Sequence, residues 1–277
     1  MKILLLTKFS TAEHHLFEFT QKINNVLPLE VDILRVVNAY PQVPLKPDGS
    51  IIDPCVDYDL SALTDQKLSE LAIANEFKAK FPFIQAPMVE IGNLEKIVRY
   101  KIVKKGYDLI LMGGHQTTLI EDLTHESTVT RIMELSDLPV LSVKFEQSSH
   151  SELNKIGIFD DFNFKKPRKL SALIQIAKAF HAEVHLFRMS GGKGGSLNGH
   201  DEVMKNFAME NELSDFHIHN LPLDGKNEES VIAENIQKEN LQLIAIPELH
   251  RKTISWMMSK NIKASIADHV LAPLLIY

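Results

Sequence analysis

LILMGGHQTTLIEDLTHEST (Leu109–Thr128) is the stretch on which the fold reading turns. An apolar run, Leu109–Met112, stops at Gly113 and Gly114. A polar loop follows, and then a segment with helical spacing, STVTRIMEL (Ser127–Leu135). Strand, glycine turn and helix start is the local order with which many α/β proteins hold a phosphate, because backbone N–H groups at a helix N-terminus attract anions. The same loop carries Glu121, Asp122 and Glu126, whose charge opposes that use.

Working outward, the order repeats. KILLLT (Lys2–Thr7) is short and wholly apolar at its centre, as a strand buried on both faces should be. Ser10 and Glu13 have capping-box spacing, and Leu16, Phe17, Phe19, Ile23 and Val26 follow at roughly helical intervals up to Pro28. EVDILRVV, FIQAPMVEI, YDLILMGG and LPVLSVKF read as four further strands. Helical stretches alternate with them, and Asn93 and Gly106 bound one as N-cap and C-terminal stop. YPQVPLKPDGSIIDPC holds four prolines and no helical period, which predicts a loop. Strands alternating with helices imply a parallel sheet built from right-handed β-α-β units.

The pattern restarts after a polar, Ser-rich stretch. KIGIFDDF, AEVHLFRM, DFHIHNLPL, LQLIAIP and APLLIY read as strands with helices between them. LEVDILRVVN echoes AEVHLFRMSG, YDLILMG echoes LQLIAIP, and SDLPVLSV echoes HVLAPLLIY. Two α/β domains explain 277 residues better than one large one: residues 1–146, a linker at 147–153, and residues 154–277.

Composition sets outer bounds. With 44% hydrophobic and 24% charged residues the chain has a globular composition, and a net charge of −6 gives no reason to expect nucleic-acid binding. The single cysteine, Cys55, cannot form an internal disulfide, and no run approaches the roughly 18 apolar residues of a membrane span. A cytoplasmic protein that avoids membranes is the expectation.

Each half resembles a universal stress protein domain, and the whole chain is similar to a tandem pair of them. The resemblance rests on KILLLTKFS, EVDILRVV, YDLILMGG and the closing LPVLSV and APLLIY. It implies two flavodoxin-like (Rossmann-like) domains, each a five-stranded parallel sheet with helices on both faces. ATP-binding members carry G-x-x-G, nine residues, then G-[ST] after the fourth strand. Counted back from Pro139, those positions here are Gly113, Gln116, Glu126 and Ser127, with Gly114 beside the first. Counted from Pro273 they are Pro247, His250, Lys260 and Asn261. The family's acidic residue after the first strand is Lys8 in the first half and Asp161 in the second. Both motifs are therefore degenerate. Two unit charges about 4 Å apart repel by about 4 kcal/mol at an effective dielectric of about 20, so Glu126 opposes a bound phosphate.

Other features read more plainly. GGKGGS (Gly191–Ser196) lacks phosphate-loop spacing and reads as a flexible connection. His217 and His219 share one strand face, with His185 on the strand expected beside it. His14 and Glu18 are helical neighbours. Either group suggests a metal, but no cysteine pair and no HExxH motif supports one, and solvated histidines are the preferred reading. Asp160 and Asp161 suggest Mg²⁺ or, more often, a turn cap. Trp256, Met257 and Met258 suggest a filled pocket in the second half or, as the alternative, an exposed apolar patch for a partner. No Ser/His/Asp or Cys/His arrangement is recognisable, so an enzyme is not expected, with weak ATPase activity left open.

The expected function is that of a stress-response regulatory or adaptor protein acting through an unknown protein partner or a small ligand. No cofactor is expected. The alternatives are a nucleotide switch using ATP in the first half only, and a small-molecule or metal-binding module. The resemblance also implies pairing of the last strands, LPVLSV with APLLIY, and allows a homodimer.

Overall fold

A computed structural model describes residues 1–9, 13–52, 58–114, 128–144, 152–162, 169–190, 200–222, 228–248 and 272–277. The chain divides into two compact units, Met1–Gly113 with Thr124–Val140, and Leu141–Tyr277 with Gly114–Leu123. The unit boundary thus falls inside the strand β5 (Val140–Lys144).

The first unit runs β1 (Lys2–Leu6), α1 (His14–Val26), β2 (Glu30–Asn38), α2 (Ser61–Lys80), β3 (Ile84–Gly92), α3 (Leu94–Lys105), β4 (Leu109–Gly114) and α4 (Thr128–Leu135). Its strands lie in the order β3-β2-β1-β4, and the pairings of β1 with β2, β1 with β4 and β2 with β3 are all parallel. Helical crossovers account for the parallel sense. The central strand is the most apolar: Ile3, Leu4 and Leu5 are fully buried, as are Leu109, Ile110 and Leu111 beside them. Pro87 lies in β3, at the sheet edge, where a missing N–H costs the ladder nothing. α1 packs on α2 through aromatic rings, with Phe17 4.3 Å from Phe77 and 5.5 Å from Phe81 between centroids.

The helix α3 behaves as its local sequence dictates. Asn93 accepts from the Lys96 N–H at 3.0 Å, and Gly106 closes the helix at φ +61°, a conformation that favours glycine. The proline-rich segment is described through Ile52. Leu45 bridges Ile51, Ser50 bridges Gly92, and the Asn93 N–H donates to the Gly49 carbonyl at 2.9 Å.

The second unit continues with β6 (Lys155–Asp160), α5 (Ser171–Ala179), β7 (Glu183–Ser190), α6 (His200–Glu210), β8 (Phe216–Pro222), α7 (Glu228–Glu239), β9 (Leu243–Ile246) and β10 (Leu274–Ile276). Its strands lie in the order β8-β7-β6-β9-β10, again with parallel pairings. Ile156, Ile158 and Phe159 of β6 and all four residues of β9 are fully buried. The α/β class with parallel strands is therefore as the alternating pattern predicts. Among the described residues no helix is long and apolar enough to cross a membrane.

The capping box of Ser10 with Glu13 falls on a residue, Ser10, outside the described ones. The Glu13 carboxylate reaches the end of β1. The two donors waiting there, the Thr7 hydroxyl and the Lys8 N–H, are buried or half-buried and lack another strand to satisfy them.

Candidate functional site

In an open parallel sheet, ligands bind outside the carboxyl ends of the central strands. In the first unit those ends belong to β1 and β4. Leu6 is in register with Met112, so Gly113 stands level with Thr7, the first residue beyond β1. Thr7 is 6% exposed and its hydroxyl donates to Glu13 Oε2 at 2.9 Å. The Lys8 N–H donates to the same oxygen at 2.8 Å. Thr7 Oγ1 also accepts from the Phe9 N–H at 2.9 Å, which fixes a tight turn with Phe9 at φ +54°. Glu13 is only 4% exposed. A Cβ placed on Gly113 would lie 3.4 Å from Glu13 Cγ and from Oε1. The glycine that a phosphate would need is thus covered by a buried carboxylate at the N-terminal end of α1. The helix macrodipole favours an acid there as much as it would favour a phosphate. The Lys8 side chain is exposed.

The second unit repeats this geometry with different groups. Ile158 is in register with Ala245, which puts Pro247 level with Asp160, as Gly113 is with Thr7. Asp160 is 1% exposed, and its Oδ1 accepts from the Phe162 N–H at 2.9 Å. Phe162 sits at φ +52°, matching Phe9. The two turns are one device, a side-chain oxygen holding the N–H two residues on. The other Asp160 oxygen takes the Tyr277 hydroxyl at 2.6 Å, the short distance of a charge-assisted bond. Tyr277 is tied down further, its N–H donating to the Ile246 carbonyl at 3.2 Å and its own carbonyl accepting from the Glu248 N–H at 2.7 Å. Pro247 is buried and Asp161 is exposed. Asp160 and Asp161 therefore face different surroundings.

Gly114 ends β4, where its backbone alone is described. Gln116, Glu126 and Ser127 lie outside the described residues, as do His250, Lys260 and Asn261. Cys55, Gly191–Ser196 and Trp256–Met258 do too. Glu13 and Tyr277 are the residues at these two edges that the sequence reading missed. Glu13 was absorbed by a capping-box pattern, and nothing in the local sequence connects Tyr277 to Asp160 across 117 positions.

The histidines of the second unit do come together, His185 buried, His219 half-buried and His217 exposed to solvent. His185 is 2% exposed. Its Nδ1 lies 3.0 Å from His219 Nε2, and its Nε2 lies 3.0 Å from Glu183 Oε1 without the alignment of a hydrogen bond. His217 Nε2 is 2.8 Å from the same Glu183 oxygen. Burial holds the pKa values of His185 and His219 below the usual imidazole value. Glu183 and Glu239 oppose the shift at His185, whereas at His219 the neighbouring His185 reinforces it. The rings of His217 and His219 each stack on His185 with centroids 5.1 Å apart, so they lie side by side rather than converging on a point. Among the described residues no group of three or more His, Cys, Asp or Glu is placed to hold a metal ion. In the first unit, His14 and His15 pair with Glu18 at 3.2 and 3.3 Å on the surface of α1.

No protein-family model and no curated protein sequence matches the chain. Solved structures do. A universal stress protein from Archaeoglobus fulgidus superposes with a TM-score of 0.66 over 99% of this chain and 95% of its own, at 18% identity. The fold is that of the universal stress proteins. A Pseudomonas aeruginosa protein provisionally described as a universal stress protein gives 0.56 over 99% and 92% at 15% identity. The cytoplasmic domain of a prokaryotic cation chloride cotransporter gives 0.53 over 99% and 94% at 8% identity. At such identities the fold is what is shared, since one fold hosts many different sites.

Proposed function

We propose that this chain is a universal stress protein-like regulatory or adaptor protein that works by binding a protein partner or a small ligand, not by turning over ATP. The observation that carries the reading is the buried Glu13 carboxylate against Gly113. A nucleotide phosphate brought to that edge meets a like charge in a site with little water. At an effective dielectric of about 20 the repulsion at about 4 Å is about 4 kcal/mol, close to a thousandfold in affinity. The second unit supports the same reading, because Pro247 stands at the glycine position and the Tyr277 hydroxyl already occupies Asp160.

Isothermal titration of the full chain with ATP and Mg²⁺ tests this. The expected result is no saturable heat at ligand concentrations up to about 1 mM, the scale on which a few kcal/mol of binding energy is detectable. Saturable binding with a Kd near 1 μM would overturn the reading in favour of a nucleotide switch.

A further inference from the structure

The buried histidine of β7 has partners for two different protonation states. His185 Nε2 faces Glu183 Oε1 at 3.0 Å, so a proton on Nε2 meets a carboxylate, whereas a lone pair there would meet one unfavourably. With Nε2 protonated, neutral His185 has its lone pair on Nδ1. That lone pair accepts from His219 Nε2 at 3.0 Å. The contact ties β7 to β8 on one face of the sheet, and β8 is the terminal strand of the unit's order. A second acceptor waits close by: Glu239 Oε2, from the last residue of α7, lies 3.8 Å from the same Nδ1.

From this geometry we propose that His185 is a proton-operated switch that exchanges His219 on β8 for Glu239 on α7. When His185 is neutral, Nδ1 accepts from His219 and β8 is clasped. When a proton arrives from solvent at Nδ1, the ring has two N–H groups and no lone pair. The His219 Nε2–H then points at a donor, and with His219 held in that tautomer the bond is lost. The imidazolium instead donates from Nδ1 to Glu239, 3.8 Å away, and its charge is matched by Glu183, whose carboxylate lies 3.0 Å from Nε2 and must turn to accept from it. The exchange needs Glu239 to take the position on Nδ1 that His219 now holds, and it removes a side-chain clasp from an edge strand whose backbone pairing with β7 remains. It is a bistable element biased by one proton.

The groups around the ring are those such a switch requires. On its own strand stands Glu183, held by Lys155 of β6 at 3.4 Å. From β8 come His219 and His217, with Asp215 3.7 Å from His217. From α7 comes Glu239, with Lys238 at 3.3 Å. Burial, His217 and Lys155 disfavour the charged ring, and the two carboxylates favour it. The switch point is accordingly expected below the ordinary imidazole value of about 6.5. This inference does not depend on the proposed function, since it concerns neither the Gly113 edge nor any ligand.

The test is imidazole ¹⁵N–¹H NMR of the full chain from about pH 8 to about pH 5, with backbone hydrogen exchange at both ends of that range. The expected result is that His185 passes from an Nε2–H tautomer to the imidazolium. The amides of Phe216–Asn220 should lose about tenfold or more of their protection, after correction for intrinsic exchange, while those of β6 keep theirs. Glu239→Gln keeps an acceptor but removes the charge, so it should move the His185 midpoint to lower pH. A His185 that stays neutral throughout would overturn the proposal. So would a midpoint unmoved by Glu239→Gln, or β8 protection unchanged between the two states.

Discussion

The two donors on Glu13 Oε2 set the cost of removing that side chain. The Thr7 hydroxyl and the Lys8 N–H both end there, and both sit at the closed edge of the first sheet. Glu13→Ala leaves them without an acceptor in a site that is 4% exposed, which costs about 1–3 kcal/mol by the usual penalty for a stranded buried donor. Glu13→Gln keeps one oxygen acceptor and should cost less. Urea unfolding of the two variants checks the order. Equal losses would show that the side chain matters for its packing against Gly113 rather than for its hydrogen bonds. Gly113→Ala probes the other side of that contact. Its new Cβ would sit 3.4 Å from Glu13 Cγ and Oε1, an ordinary to close approach, so a loss within about 1 kcal/mol is expected.

Among the elements, α3 was readable in the sequence because its signals are local. Asn93 and Gly106 act within a few residues of where they stand, and both do what residues of their type do at helix ends. Asn93→Ala should therefore cost about 1 kcal/mol, measured as a shift in the denaturation midpoint at constant slope. The strands were equally readable from their short apolar runs, and the turn after β1 recurs after β6 with Thr7 replaced by Asp160. The bonds from Thr7 and Lys8 to Glu13 were not readable, since an acid with capping-box spacing carries no local sign that the end of the preceding strand will also use it. The histidine group was half readable. Period-two spacing put His217 and His219 on one face and placed His185 next to them, but not the burial that removes His185 from water. Leu241 Cδ1 lies 2.4 Å from where a Gly157 Cβ would be. Gly157 is in register with His185 on the neighbouring strand. Gly157→Ala forces Leu241 aside and should lower stability by about 1–3 kcal/mol for overpacking. Full stability of the variant in urea unfolding would contradict this.

At the scale of the whole molecule, the buried histidines make stability depend on pH in a window distinct from that of the acids. His185 and His219 have pKa values lowered by folding, burial being the first cause for each. In the unfolded chain they titrate near the ordinary value of about 6.5. Below that pH the unfolded state takes up protons that the native state still refuses, so the unfolded state gains relative to the native one as pH falls. Above about pH 6.5 neither state binds them and the histidines add no slope. The carboxylates whose pKa values folding lowers, Glu239 and Asp48 among them, contribute in a different range. Their stabilisation is intact above the unfolded value of about 4 and is lost only as pH drops below it. Between about pH 6.5 and pH 5 the descent should therefore belong to the histidines, with a limiting slope of about 1.4 kcal/mol per pH unit for each proton withheld. Urea denaturation at a series of pH values measures it. His219→Phe removes one titrating ring and keeps an aromatic surface against Phe187, whose centroid lies 4.4 Å from that of His219. The variant should show a shallower descent over that window and an unchanged one below pH of about 4. A wild-type stability that is flat between about pH 6.5 and pH 5 would mean that the native rings take up protons as readily as the unfolded ones do, which their burial on the sheet face should forbid.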